Sequence, residues 1–222
     1  MSPTLARIAM AIGVVASMAR GATAEDASTR VDIARNGVGN SPADFEFART
    51  GDGDLGRWTV VRDPTAVEGV AIEHVSTDQH EDRFPLAIYQ PRSLENGAVS
   101  VRFKIVSGTM LSAGVALGVR NPGSYYAVSA SALEQRVDLL LVMNGKIERI
   151  ETGSDVNVEK DRWHVLKVTF DDDHFVVALD SKVLFTTYDR TRRKDGRIAL
   201  WTREDNVTRF DQIEVRPLSN TE

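Results

Sequence analysis

The chain has 222 residues with 27 Lys+Arg against 32 Asp+Glu, a formal net charge of −5, and this mild acidity argues against nucleic acid or an anionic membrane surface as the main partner. It has no Cys, which excludes disulfides, thiolate metal sites, a cysteine nucleophile and a lipidated cysteine anchor. Hydrophobic residues at 42% and charged residues at 27% give the balance of a soluble globular chain, long enough for one large domain or two small ones.

Residues 1–24 read as an export signal. Arg7 supplies the positive start, Ile8 to Ala19 form an apolar stretch, and Ala22-Thr23-Ala24 matches a small-x-small cleavage pattern. A run of about a dozen apolar residues is too short for a bilayer span, which needs about 20. Removing it takes away two Arg and no acid, leaving 198 residues with a charge of −7. No later segment is long and apolar enough to span a membrane, so a soluble periplasmic or secreted protein without membrane insertion is expected. Residues 25–42 are polar and Gly-containing and read as a flexible leader, and 43–218 as one domain.

From Phe45 onward the dominant period is two. Val99, Val101, Phe103 and Ile105 alternate with Ser100, Arg102 and Lys104, and Val115, Leu117 and Val119 alternate with Ala116, Gly118 and Arg120. Ala127 to Arg136 suits either a helical turn or a tightly packed strand. Val137 to Met143 is apolar on both faces, so it should lie inside the sheet pair. Asn144-Gly145 predicts a tight hairpin into Lys146–Ile150, because both residues tolerate positive φ. Trp163–Phe170 and Phe175–Leu179 flank the turn Asp171-Asp172-Asp173. Asp180-Ser181 turns into a strand at Val183–Thr187, Asp195-Gly196 into one at Arg197–Thr202, and Arg209–Val215 completes the pattern. Short strands at this spacing, with no amphipathic helix between them, predict an all-β sandwich or barrel.

Several short runs follow one another in a familiar order: Gly56-Arg57-Trp58-Thr59-Val60, Phe84-Pro85-Leu86, Gly97 to Lys104, Gly114 to Arg120, Ser124-Tyr125-Tyr126-Ala127-Val128, Trp163-His164-Val165-Leu166, Gly196 to Thr202 and Phe210-Asp211. Together they resemble the concanavalin A-like jelly-roll domain of the 3-keto-disaccharide hydrolase (family-16-like glycoside hydrolase) family of exported bacterial proteins. The resemblance runs from Phe45 to Val215. It implies a β-sandwich of two antiparallel sheets, a carbohydrate or glycoside as partner, and cleavage of keto-glycosides as one possible activity.

Glycoside hydrolysis by paired carboxylates needs two acids, about 5–5.5 Å apart for retention or about 6.5–9.5 Å for inversion. No Glu-x-Asp-x-x-Glu run offers them on one strand face; Asp171-Asp172-Asp173, Glu81-Asp82 and Glu204-Asp205 read as turns. A 3-keto group acidifies its neighbouring C–H, so elimination with a single base is the alternative. Glu134 is the candidate base and Arg120 the candidate enolate stabiliser, with Tyr126, Trp201 and Arg136 as sugar-binding residues. The competing readings are a buried Arg120–Glu134 ion pair with Tyr126 and Trp201 as core aromatics, and a non-catalytic sugar-binding or envelope interaction module. Calcium is the cofactor most compatible with the architecture; Asp205, Asn206 and Asp211 are its candidate ligands, or else turn formers. His74, Asp78 and His80 read as a polar surface connection. The basic run Arg190, Arg192, Arg193 and Lys194 suits a solvated hairpin tip or an acidic-sugar contact.

Overall fold

A computed structural model describes residues 28–191 and 195–218; the expected signal segment and Arg192, Arg193 and Lys194 of the basic run lie outside them. Two sheets stack face to face, sheet A with eight strands and sheet B with seven, and every pairing is antiparallel. In chain order, β1 (Thr29–Arg30) joins sheet A, β2 (Phe45–Thr50) sheet B, and β3 (Arg57–Arg62) and β4 (Val70–Val75) sheet A. β5 (Phe84–Leu94) lies in sheet B and β6 (Gly97–Ser107) in sheet A. β7 (Ser112–Asn121), β8 (Ser124–Ser131), β9 (Arg136–Met143) and β10 (Lys146–Gly153) then meander through sheet B. β11 (Trp163–Asp171), β12 (His174–Leu179) and β13 (Lys182–Tyr188) do the same in sheet A, before β14 (Gly196–Thr202) returns to B and β15 (Val207–Pro217) closes A. The orders are β13-β12-β11-β6-β15-β4-β3 with β1 beside β15, and β10-β9-β8-β7-β14-β5-β2. The expected jelly-roll sandwich is the fold.

The alternation read from the sequence is the alternation of the core except at Val119, which falls after the register shift at Gly118 and joins the opposite face with Ala116. Val99, Val101, Phe103 and Ile105 point inward from β6, Leu166, Val168 and Phe170 from β11, and Val115 and Leu117 from β7. Turn chemistry is also as expected: Asn144 (φ 52°) and Gly145 (φ 76°) join β9 to β10, and Asp180 (φ 47°) and Ser181 (φ 69°) join β12 to β13. Ala127 to Arg136 is strand followed by turn, not helix.

The leader is a correction. Thr29 and Arg30 pair with Val215 and Glu214 of β15, and Val31 and Ile33 are buried in the main core. Two apolar residues spaced by two were enough to anchor a polar-looking stretch.

His74 is a second correction, because it sits in β4 with no exposed surface. Its Nδ1 lies 2.9 Å from the Asn206 carbonyl, and its ring packs 4.8 Å from Trp58. Burial first, and then the Arg83 guanidinium, lower its pKa from 6.5 to about 4, against the Asn206 carbonyl, which raises it. A histidine neutral in the fold but free to protonate when unfolded makes the unfolded chain the better proton acceptor between those values. Its stabilising contribution is therefore intact above pH 6.5 and lost as pH falls toward 4, by on the order of 3 kcal/mol. Urea midpoints measured from pH 7 to 4 should fall through this window, and His74→Gln should flatten the slope there.

The two outer faces differ. On sheet A the segment between β3 and β4 folds over charged side chains: Asp63 Oδ2 accepts from Lys104 Nζ (2.5 Å) and Arg209 Nη1 (3.0 Å), and Arg209 Nε donates to Glu73 (2.7 Å). Burial alone would push the Asp63 carboxyl up, but bonds from Lys104, Thr65 and Arg209 outweigh it and hold it well below the usual carboxylate range. Arg102 lies 4.5 Å over the Trp163 ring. This is the polar outer face that an antiparallel sandwich ordinarily shows. Sheet B is different.

Candidate functional site: the concave face of sheet B

Many of the residues of sheet B that point away from the core are apolar. Phe84, Leu86 and Ile88 of β5, Ala116 of β7, Tyr125 and Ala127 of β8, Leu140 and Val142 of β9, and Ala199 and Trp201 of β14 form a second buried cluster, separate from the core between the sheets. Trp201 stacks on Phe84 with ring centroids 5.2 Å apart and planes 15° from parallel. Register explains the grouping: Trp201 pairs with Gly114 and Leu86, Ala199 with Ala116 and Ile88, Ala127 with Ala116 and Leu140. Directly paired residues share a face, so small side chains line a floor between the Phe84–Trp201 wall and the side chains of β9.

One corner of this face is polar. Ser112, Ser129 and Ser131 continue the floor, and Asp138 accepts from Arg136 Nε (2.8 Å) and Thr152 Oγ1 (2.8 Å), with Arg149 at 3.3 Å. Arg136 also pairs with Glu134 at 2.8 Å.

The sheet curls toward this face. In strand order β8 and β2 are separated by β7, β14 and β5, yet Tyr125 Oη lies 2.6 Å from Thr50 Oγ1, which also meets the Pro122 carbonyl. β7 bends at Gly118 (φ 62°), where the register with β8 shifts. Gly196 backs onto that bend; a Cβ there would sit 2.3 Å from the Gly118 carbonyl carbon. Burial pushes the Tyr125 phenol up to about 12, against its hydrogen bond with Thr50.

The expected site residues divide. Trp201 and Arg136 lie on this face, and Glu134 is in the turn at its polar corner. Tyr126 does not: it points into the core, 5.0 Å from the Phe175 ring, and its neighbour Tyr125 takes the outer face. Strand parity decides between them, and a tyrosine pair leaves parity open. Arg120 and Glu134 lie beyond opposite ends of β8, an eight-residue strand of roughly 25 Å at about 3.3 Å per residue. Arg120 Nε donates to the Asp195 carbonyl at 3.1 Å. Neither the base–enolate pair nor the alternative ion pair is formed.

The calcium expectation is also corrected. Asp205 Oδ1 accepts from the Thr109 N–H (2.8 Å) and hydroxyl (2.7 Å), and Oδ2 from Gln79 (3.0 Å). Asp211 Oδ2 accepts from Val67 N–H and Arg102, both at 2.9 Å. Asn206 Oδ1 accepts from Leu111 N–H at 3.0 Å. Asp211 Oδ1 is buried and meets no donor, whereas each of the other oxygens just named faces one. Among the described residues no three His, Asp or Glu side chains are grouped to hold a metal.

A separate depression of ≈ 340 Å³ is lined by Asp155, Asn157, Arg162, His164, Asp180 and Lys182, among others. Both nitrogens of His164 are engaged there: Nδ1 with Asp180 at 2.7 Å, and Nε2 as acceptor of the Glu159 N–H at 2.9 Å. That histidine pins a loop. The depression presents no Phe, Tyr or Trp ring.

No protein-family model matches the chain, and no curated protein matches it. Solved structures share its fold. The carbohydrate-binding module CBM66 from Bacillus subtilis superposes with a TM-score of 0.60, covering 76% of this chain and 94% of that one at 15% identity. A Bacillus subtilis protein of unknown function with a galectin-like fold gives 0.53 over 77% and 89% at 11% identity. A β-glucanase from Bacillus licheniformis gives 0.52 over 82% and 96% at 11% identity. These likenesses establish a concanavalin A-like jelly-roll β-sandwich.

Proposed function

We propose that this is an exported carbohydrate-binding protein that takes a saccharide on the concave face of sheet B. The observation that carries the reading is the stacked Phe84–Trp201 pair and Tyr125 on the same outer face as the Arg136–Asp138 corner. The core between the sheets is complete without them, so the sandwich does not need an apolar outer face for its own packing. Rings for the apolar faces of a sugar, and a few placed polar groups for its hydroxyls, are the usual make-up of a small-ligand site. The names of fold neighbours, a carbohydrate-binding module and a β-glucanase, support the same ligand class. Cleavage of a keto-glycoside, which the sequence resemblance implies, needs base and enolate stabiliser at one sugar; Arg120 and Glu134 stand too far apart, so binding is the reading adopted. Calorimetric titration of the chain with a panel of neutral and acidic oligosaccharides tests it. Saturable binding that Trp201→Ala weakens is expected; binding unaffected by that change, or none across the panel, contradicts it. Export is tested by sequencing the amino terminus of the protein recovered outside the cytoplasm, which should begin at Glu25.

A further inference from the structure

Sheet A carries a groove on its own outer face, across the sandwich from the face just proposed. Its floor is the middle strand β6, where the outward residues Ala98 and Ser100 are small. Longer side chains flank them. Lys167 of β11 pairs with Ser100, and Glu214 and Arg216 of β15 pair with Ser100 and Ala98. The resulting depression has a volume of ≈ 300 Å³, with Ser28 of the leader in its lining. Lys167 and Arg216 are exposed, and among the described residues neither forms an ion pair. Glu214 Oε1 accepts from the Ser28 hydroxyl at 2.9 Å, so two cations stand against one acid.

The same face runs on over short side chains to the edge of the sheet. Thr169 pairs with Ala98 on one side and Val176 on the other. At the edge Tyr188 of β13 is 68% exposed and stacks on His174, with ring centroids 4.7 Å apart. Three strand spacings separate β6 from β13, roughly 14 Å at about 4.8 Å each, within the reach of a short oligosaccharide.

We infer that this face is a second binding site, for an oligosaccharide that carries carboxylates. The Lys167 ammonium and the Arg216 guanidinium take a carboxylate. Glu214 accepts from sugar hydroxyls, the Ser100 hydroxyl donates or accepts, and the Tyr188 ring offers its flat surface to a sugar ring. Glu214 argues against a bare anion: its charge opposes one, whereas a sugar acid brings hydroxyl donors for it. A neutral sugar leaves both cations to water.

Titration of the isotopically labelled protein with trigalacturonate, its methyl ester and sodium sulfate, at constant ionic strength, tests this through amide chemical shifts. Trigalacturonate should shift Ala98, Ser100, Lys167 and Tyr188 along one saturable curve, and the ester should bind about ten-fold more weakly. Sulfate should leave these amides in place at concentrations where trigalacturonate saturates. Lys167→Gln combined with Arg216→Gln should bring the acid down to the affinity of the ester, and Tyr188→Ala should weaken both alike. All three residues are exposed, so the fold is kept, which circular dichroism melts check. Equal binding of acid and ester, an unaffected double variant, saturation by sulfate or no shift on this face would each overturn the inference. Binding on the concave face is read in the same spectra from Ala127 and Trp201, so the failure of either site is seen apart from the other.

Discussion

Replacing Arg83 with Ala should cost the fold about 4 kcal/mol and lower its melting temperature by roughly 8–16 °C. The Arg83 side chain has no exposed surface, and its nitrogens tie three connections together. Nε donates to the Asp54 carbonyl at 2.5 Å, and Nη1 to the carbonyls of Glu204 at 2.5 Å and Asp78 at 3.4 Å; the Asp78 carboxylate lies 3.6 Å away. Deleting the guanidinium leaves buried carbonyls without donors, a carboxylate without its cation and a hole where the side chain was. Lysine is no substitute, since one ammonium on a flexible stem cannot reproduce a planar fork. Urea unfolding of wild type, Arg83→Ala and Arg83→Lys checks this. A loss below about 1 kcal/mol for the alanine variant would show that the three connections hold without it.

The second large effect belongs to Trp201. Trp201→Ala removes the ring stacked on Phe84 and opens a void in a buried cluster, a change that costs about 3–5 kcal/mol in stability and should weaken saccharide binding at least ten-fold, about 1.4 kcal/mol. Trp201→Phe keeps a ring against Phe84 and should recover most of the stability, while binding stays weakened because the contact area for a sugar is smaller. That split matters: a purely structural Trp201 would lose stability and binding together and regain them together. Titrations at a temperature well below both melting points, with matched circular dichroism spectra, separate the two.

The sandwich itself was legible because its code is local. Period-two alternation in Val99–Ile105 and Val115–Leu117, and the turn pairs Asn144-Gly145 and Asp180-Ser181, each specify structure within a few residues; the bend at Gly118 breaks the alternation before Val119. The site was legible only in part. Val137–Met143 is apolar on both faces, and Phe84-Pro85-Leu86-Ala87-Ile88 repeats that property; together they already imply that sheet B buries its outer face too. What could not be read is which strands lie side by side. β14 comes between β7 and β5, and that placement alone brings Trp201 to the Gly114–Ala127 floor. The curl that joins Thr50 to Tyr125 depends on the bend at Gly118, a long-range consequence of one residue. Arg120 and Glu134 were grouped as an arginine and an acid suited to one sugar; the β7–β8 hairpin places them beyond opposite ends of β8. Asp205 and Asp211 carry the right atoms for calcium, but N–H and O–H donors claim Asp205, and among the described residues no third acidic or histidine side chain joins either of them in a group that could hold a metal.

The central claim is that the ligand sits on the concave face of sheet B. Its most direct test is amide chemical-shift mapping of the isotopically labelled protein during titration with the tightest-binding oligosaccharide of the panel. The largest shifts should fall on Gly114, Ala116, Tyr125, Ala127, Ala199 and Trp201, with the indole N–H of Trp201 among them. Shifts confined to the outer face of sheet A around Lys104 and Trp163, or to the depression beside His164 and Asp180, would contradict it.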